Sequence, residues 1–234
     1  MSDEVEEAPR ALNLVVHMEK GEVVYFGDVA EAAAKAVVAL LHDERATLEW
    51  RGPIALWRGG RIRKLCRRAR GVAWEKTSGL AHVEVSVGTA TVRAFVPVLV
   101  SEQDPLLSKL QLQGTEFAES REERLMVSDT PVVAANPLVP MSGPKAVVAI
   151  AHAVQLVVEA WERRDPDRVA AWMSDGMELS VRRDNDIVWA AMSAMAEQLA
   201  DKFCAVVVRD AGFTEVAPGS VTAVGMLYDP EPGS

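Results

Sequence analysis

The chain has 234 residues, a net charge of −9 at neutral pH, and close to half of its residues apolar. That length allows one or two compact units with real cores, and no apolar run reaches the roughly 18 to 20 residues that cross a bilayer. The acidic balance argues against a protein that binds nucleic acid over its whole surface, because phosphate contact depends on cationic charge.

Residues 1–10 open with four acids, Asp3, Glu4, Glu6 and Glu7, and read as a disordered tail rather than a secretory signal. Apolar patterning then predicts a strand over 12–17 and a helix over 28–42, with Asp28 and Glu31 as a capping box. A strand over 62–68, a helix over 71–78, strands over 82–87 and 90–99, and a short helix over 104–110 complete a first unit, residues 11–118. A polar, charged linker occupies 119–129. The second unit, residues 130–234, reads as strand 131–134, helix 144–161, strand 177–182, helix 186–202, and strands 204–210 and 221–227. The only cysteines, Cys66 and Cys204, lie in apolar strand-like segments, which predicts two buried free thiols and a reducing, cytoplasmic setting.

The two units align. With an offset of 115 residues, Trp57 falls on Trp172, Trp74 on Trp189, and the pair Arg67–Arg68 on Arg182–Arg183. Repeated patterning of strands and helices predicts an α/β fold of two repeated layered units, each a mixed sheet of about four strands flanked by helices.

Charge divides unevenly, about −1 for residues 1–118 and −8 for the remainder. Within the first unit, eight basic residues and no acid lie between Arg51 and Arg70. On a strand, Arg61, Arg63 and Arg67 share one face, and arginine suits phosphate. With Arg68 they form a candidate phosphate-binding surface; a solvated basic face is the alternative. Trp57 and Trp74 flank the run, either to stack on bases or to fill the core.

Two segments of the second unit carry chemistry. In Ser142-Gly143-Pro144-Lys145, serine is a helix N-cap and proline fits the first turn. Lys145 sits where the helix dipole opposes a cation, beside free N–H groups that suit an anion. His152, seven residues on, shares its face. A surface lysine and a satisfied core histidine are the bland readings. The second segment, Asp210-Ala211-Gly212-Phe213-Thr214 followed by Pro218-Gly219-Ser220-Val221-Thr222, joins two strands and presents an acid at a sheet edge.

Together these segments resemble the type-2 peptidyl-tRNA hydrolase family, over about residues 130–227. The matching positions are Gly143, Lys145, His152, Asp210, Ala211, Gly212, Thr214, Pro218, Gly219, Ser220 and Thr222. The chain departs from the family's second lysine before the helix and from its glutamine one turn before the histidine, where Ala149 stands. The resemblance implies hydrolysis of the ester joining a nascent peptide to tRNA. Asp210 would orient or deprotonate water with Thr214, and Lys145 would stabilise the oxyanion or contact the terminal phosphate. His152 would bond to Asp210 or the substrate, while Gly212, Ser220 and Thr222 would support the substrate loop. No cofactor is implied, and His17, His42, His82 and His152 have no metal-ligand spacing. The expected partner is tRNA, with no membrane, and the units form either a pseudo-dimer within the chain or part of a homodimer. In the first unit Ala30 and Val37 replace the lysine and histidine, and a turn at Gly88–Thr89 replaces the aspartate loop. A non-catalytic tRNA- or peptide-binding protein, or a structural tandem domain, is the alternative.

Overall fold

The computed structural model describes residues 8–60, 62–112, 114–119, 130–183, 186–198, 203–212 and 215–227. The expected linker, Glu119 apart, and the tail up to residue 7 lie outside them. The first unit runs β1 (Arg10–His17), α1 (Phe26–His42), α2 (Arg51–Gly59), β2 (Lys64–Ala69), α3 (Gly71–Thr77), β3 (His82–Val87), β4 (Ala90–Phe95), β5 (Val98–Leu99) and α4 (Pro105–Ser108). The second runs β6 (Val132–Ala135), α5 (Gly143–Glu162), α6 (Pro166–Ser174), β7 (Ser180–Arg182), α7 (Asp186–Gln198), β8 (Val206–Arg209) and β9 (Val221–Met226).

Both sheets are built to one plan. The first has the order β2-β1-β4-β3, with β1 parallel to β2 and antiparallel to β4. The second has the order β7-β6-β9-β8, with β6 parallel to β7 and antiparallel to β9. A parallel neighbour requires a crossover, and each unit places two helices there. The repeat extends to single bonds. Trp57 Nε1 donates to the Arg63 carbonyl at 3.0 Å, and Trp172 Nε1 donates to the Glu178 carbonyl at 2.7 Å, each across six residues. Both tryptophans therefore fill the core, and each ties its crossover helix to the approach to the next strand.

Alternating side chains divide each sheet between two apolar layers. Leu12, Leu14 and Val16 of β1 and Val133 and Ala135 of β6 enter a shared central core with α1 and α5. Val15 faces outward to Trp74 and Leu107. Val132 and Ala134 face outward to Trp189 and Met192 of α7. Helix α1 packs along α5, and α5 also packs on β2 of the opposite sheet. Five alanines of α1 (Ala30, Ala32, Ala33, Ala34 and Ala36) are wholly buried, the composition of a helix closely surrounded by other elements. Helix α5 is long and apolar enough by composition to cross a membrane, but it is the buried centre of this core.

Three expectations need correction. Asp28 and Glu31 do not form a capping box: α1 begins at Phe26, its N-cap Tyr25 supplies no side-chain bond, and Asp28 is engaged elsewhere. Glu31 pairs with Lys35 at 2.9 Å. The strand expected over 177–182 begins at Ser180, because Gly176 and Met177 take successive positive φ angles of 89° and 56° and turn the chain first. Helices α2 and α6 were not anticipated, being short and carrying glycine or proline in their first turns.

Candidate active site

Strand β8 delivers Asp210 to the start of a closed loop. The Asp210 N–H donates to the Ser220 carbonyl at 2.9 Å, and the Gly219 N–H donates to the Asp210 carbonyl at 2.7 Å. Above this neck the Gly212 N–H donates to Asp210 Oδ1 at 2.7 Å. Gly212 has φ +80°, and a Cβ there would meet Pro218 Cγ at 2.3 Å. Glycine is thus required twice, for conformation and for space. Thr222, buried in β9, donates from Oγ1 to the Val208 carbonyl at 3.4 Å. Thr214 lies outside the described residues.

The other wall is the start of α5. Ser142 is its N-cap, and its Oγ accepts from the Lys145 N–H at 3.3 Å. Glu215, on the loop, holds the same serine: the Ser142 N–H donates to Oε2 at 2.8 Å and its hydroxyl to Oε1 at 2.7 Å. A carboxylate at a helix N-terminus is favourable, and here it clamps loop to helix. Lys145 Nζ donates to Asp210 Oδ2. The two side chains are 12% and 14% exposed, so the pair is largely shielded but open on one side. The carboxylate offsets the unfavourable dipole of the helix start.

This pair lines a cavity of about 470 Å³ together with His152, Thr222 and, from the first unit, Lys64 and Cys66. His152 has no hydrogen-bond partner among the described residues, and Asp210 is occupied by Lys145 and Gly212 instead. Burial, with Lys64 and Lys145 nearby, pushes the imidazole pKa down to about 2, so it stays neutral. Burial alone pushes the Cys66 thiol up to about 12, which makes it inert.

Lys64 is the residue the sequence did not single out. Its Nζ donates to Gln155 Oε1 at 2.6 Å, Gln155 Nε2 donates to Glu159 Oε1 at 2.9 Å, and Arg58 donates to the same oxygen at 3.0 Å. Burial lowers the Lys64 pKa to about 7, Arg58 lowering it slightly and Glu159 opposing the shift. The other basic residues separate. Arg63 lines the cavity. Arg67 turns to the opposite face of β2, where it donates to Asn13 Oδ1 at 2.9 Å and to the Leu110 carbonyl at 3.0 Å. Arg68 donates to Gln111 Oε1 at 2.9 Å, and Arg61 lies outside the described residues.

In the first unit the corresponding place is filled. Asp28 Oδ2 accepts from the Thr89 N–H at 2.7 Å and from its hydroxyl at 2.8 Å. A Cβ at Gly88 would lie 2.4 Å from that carboxylate. The helix start and the β3–β4 turn close on each other, leaving no room between them.

The Asp210 loop and the start of α5 both fall within residues 131–232, which match the model of the family described as Peptidyl-tRNA hydrolase PTH2. A curated relative, the Peptidyl-tRNA hydrolase of Thermococcus onnurineus (strain NA1), is 28% identical over 92 residues, which cover 39% of this chain and 76% of the relative. The resemblance read from the Asp210 loop and the α5 start is thereby shown over the second half of the chain.

Proposed function

We propose that the second unit hydrolyses the ester bond of peptidyl-tRNA, releasing tRNA and peptide in the cytoplasm. The observation that carries this reading is the Lys145–Asp210 pair at a cavity inside the segment that matches the family. Asp210, held by a lysine and a backbone N–H, is a well-fixed acceptor. It orients the attacking water toward the ester carbonyl and, with Thr214 of the same loop, receives its proton. Lys145 retains donors not spent on Asp210 and meets the oxyanion as it forms. His152 stays uncharged and offers the substrate one donor and one acceptor. Gly212, Ser220 and Thr222 hold the loop in shape, and Arg63 and Arg68 meet the RNA backbone from the first unit.

The test is release of free tRNA from a defined peptidyl-tRNA by the whole chain and by Asp210→Asn. The expected loss is at least about 100-fold in kcat, with an unchanged circular dichroism spectrum. Equal activity in the two proteins removes Asp210 from the mechanism. Absence of turnover in both, with tRNA still bound, replaces the esterase with a non-catalytic tRNA-binding protein, a reading that the cationic wall supplied by β2 would serve.

A further inference from the structure

We propose that the site is completed by the first unit, with Lys64 binding a phosphate of the substrate's RNA end inside the cavity of the second unit. The proposal rests on the peptidyl-tRNA reading above and adds a residue from outside the matching segment.

The charge balance around Lys64 is incomplete. Lys64 is 7% exposed, and its only hydrogen-bond partner among the described residues is the neutral amide of Gln155. The Glu159 carboxylate is one hydrogen bond further and already holds Gln155 and Arg58. The Trp57 ring, 5.1 Å from Nζ, gives weak cation–π support. A buried cation without an anion is costly, and such groups are normally paired. The cavity beside Lys64 is where a pair would stand. Asp210 is engaged by Lys145, Glu215 by Ser142, and the neutral His152 cannot serve. A phosphate entering between α5 and β2 supplies the missing charge, and lysine binds it as a point charge.

Position fixes the division of labour. Lys145 reaches the carboxylate at the helix start, and Lys64 approaches from the facing sheet. Ester and neighbouring phosphodiester belong to one RNA terminus, so two cations on opposite walls hold it across the cavity.

The lowered Lys64 pKa supports this and adds a signature. Burial brings the loss of its proton down toward neutral pH in the free protein. An anion beside it favours the charged form, so binding takes up a proton above pH 7. Beyond burial, Glu159 of α5 favours the charge and Arg58 of α2 opposes it, and His152 of α5, facing the same cavity, is neutral.

The experiment has two readouts on the whole chain. In the first, Lys64→Met is compared with wild type in steady-state hydrolysis. Methionine suits a buried site, and an unchanged circular dichroism spectrum and melting temperature check that the variant keeps its fold. KM is expected to rise at least about tenfold with kcat nearly unchanged, the sign of lost ground-state binding. The wild-type KM should also climb above pH 7 while the variant's stays flat. An unchanged KM, or a loss confined to kcat, overturns the proposal. In the second, the Lys64 ¹³Cε resonance, assigned by its loss in Lys64→Met, is followed against pH with and without deacylated tRNA, and with inorganic phosphate alone. A titration midpoint raised by tRNA supports the proposal, and one indifferent to tRNA overturns it. A shift by free phosphate equal to that by tRNA overturns the assignment to the RNA end. This readout needs no turnover, so failure of the esterase reading is seen separately as absence of hydrolysis by wild type.

Discussion

At residue scale, the site is a set of charges placed where each constrains the next. His152 is the clearest case, because burial, with two lysines nearby, keeps it neutral. Its pKa of about 2 lies far below the ordinary histidine value, so the unfolded chain takes up a proton near pH 6.5 and the folded one does not. Its contribution to stability is therefore fully present above pH 6.5 and declines as the pH falls, by up to about 1.4 kcal/mol per pH unit. The expected result in a histidine NMR titration is no midpoint for His152 between pH 5 and 8. A midpoint near 6.5 would mean that the ring is solvated. The sequence made Lys145, His152 and Asp210 legible, because the helix start and glycine loop have local signatures. Lys64 was visible only as one cation of eight: strand parity grouped Arg61, Arg63 and Arg67, and nothing local says that Lys64 meets Gln155, ninety-one positions away.

At the scale of elements, two short devices decide where the charges stand. One is the Glu215–Ser142 clamp between loop and helix. The other is Gly212, whose positive φ and contact with Pro218 leave no room for a Cβ. Gly212→Ala should therefore lower stability by about 1–3 kcal/mol and displace the Asp210 carboxylate. Hydrolysis by the variant should fall at least about tenfold, read beside its melting temperature. A variant with wild-type rate and stability would show that the loop is not held this way. Most strands and both long helices were legible from periodicity. The start of β7 was not, because the left-handed turn at Met177 departs from the usual preference of a non-glycine residue. The role of Asp28 was misjudged for a related reason: its partner Thr89 lies 61 residues away, so a local capping rule assigned it to its own helix.

At the scale of the whole molecule, two units of the same strand plan share one core through α1 and α5. The offset expected from the tryptophans and arginines is matched by the bonds from Trp57 and Trp172, and the strand plan common to the two sheets fits a repeat. The packing of the units was not legible, since an alanine-rich helix buried on all sides reads like any amphipathic one. The consequence for chemistry is asymmetric. One helix–turn contact is filled by Asp28, whereas the other stays open and borrows a wall from β2.

That borrowed wall changes how the site responds to dilution. A cavity assembled from two separate molecules disappears as their concentration drops below the dissociation constant of the pair. Here the second wall is tethered by the same chain, at an effective concentration that no dilution changes. Turnover per molecule is therefore expected to stay constant from micromolar to low nanomolar protein, measured with saturating peptidyl-tRNA. A specific activity that falls on dilution would show that a second chain is needed to complete the site.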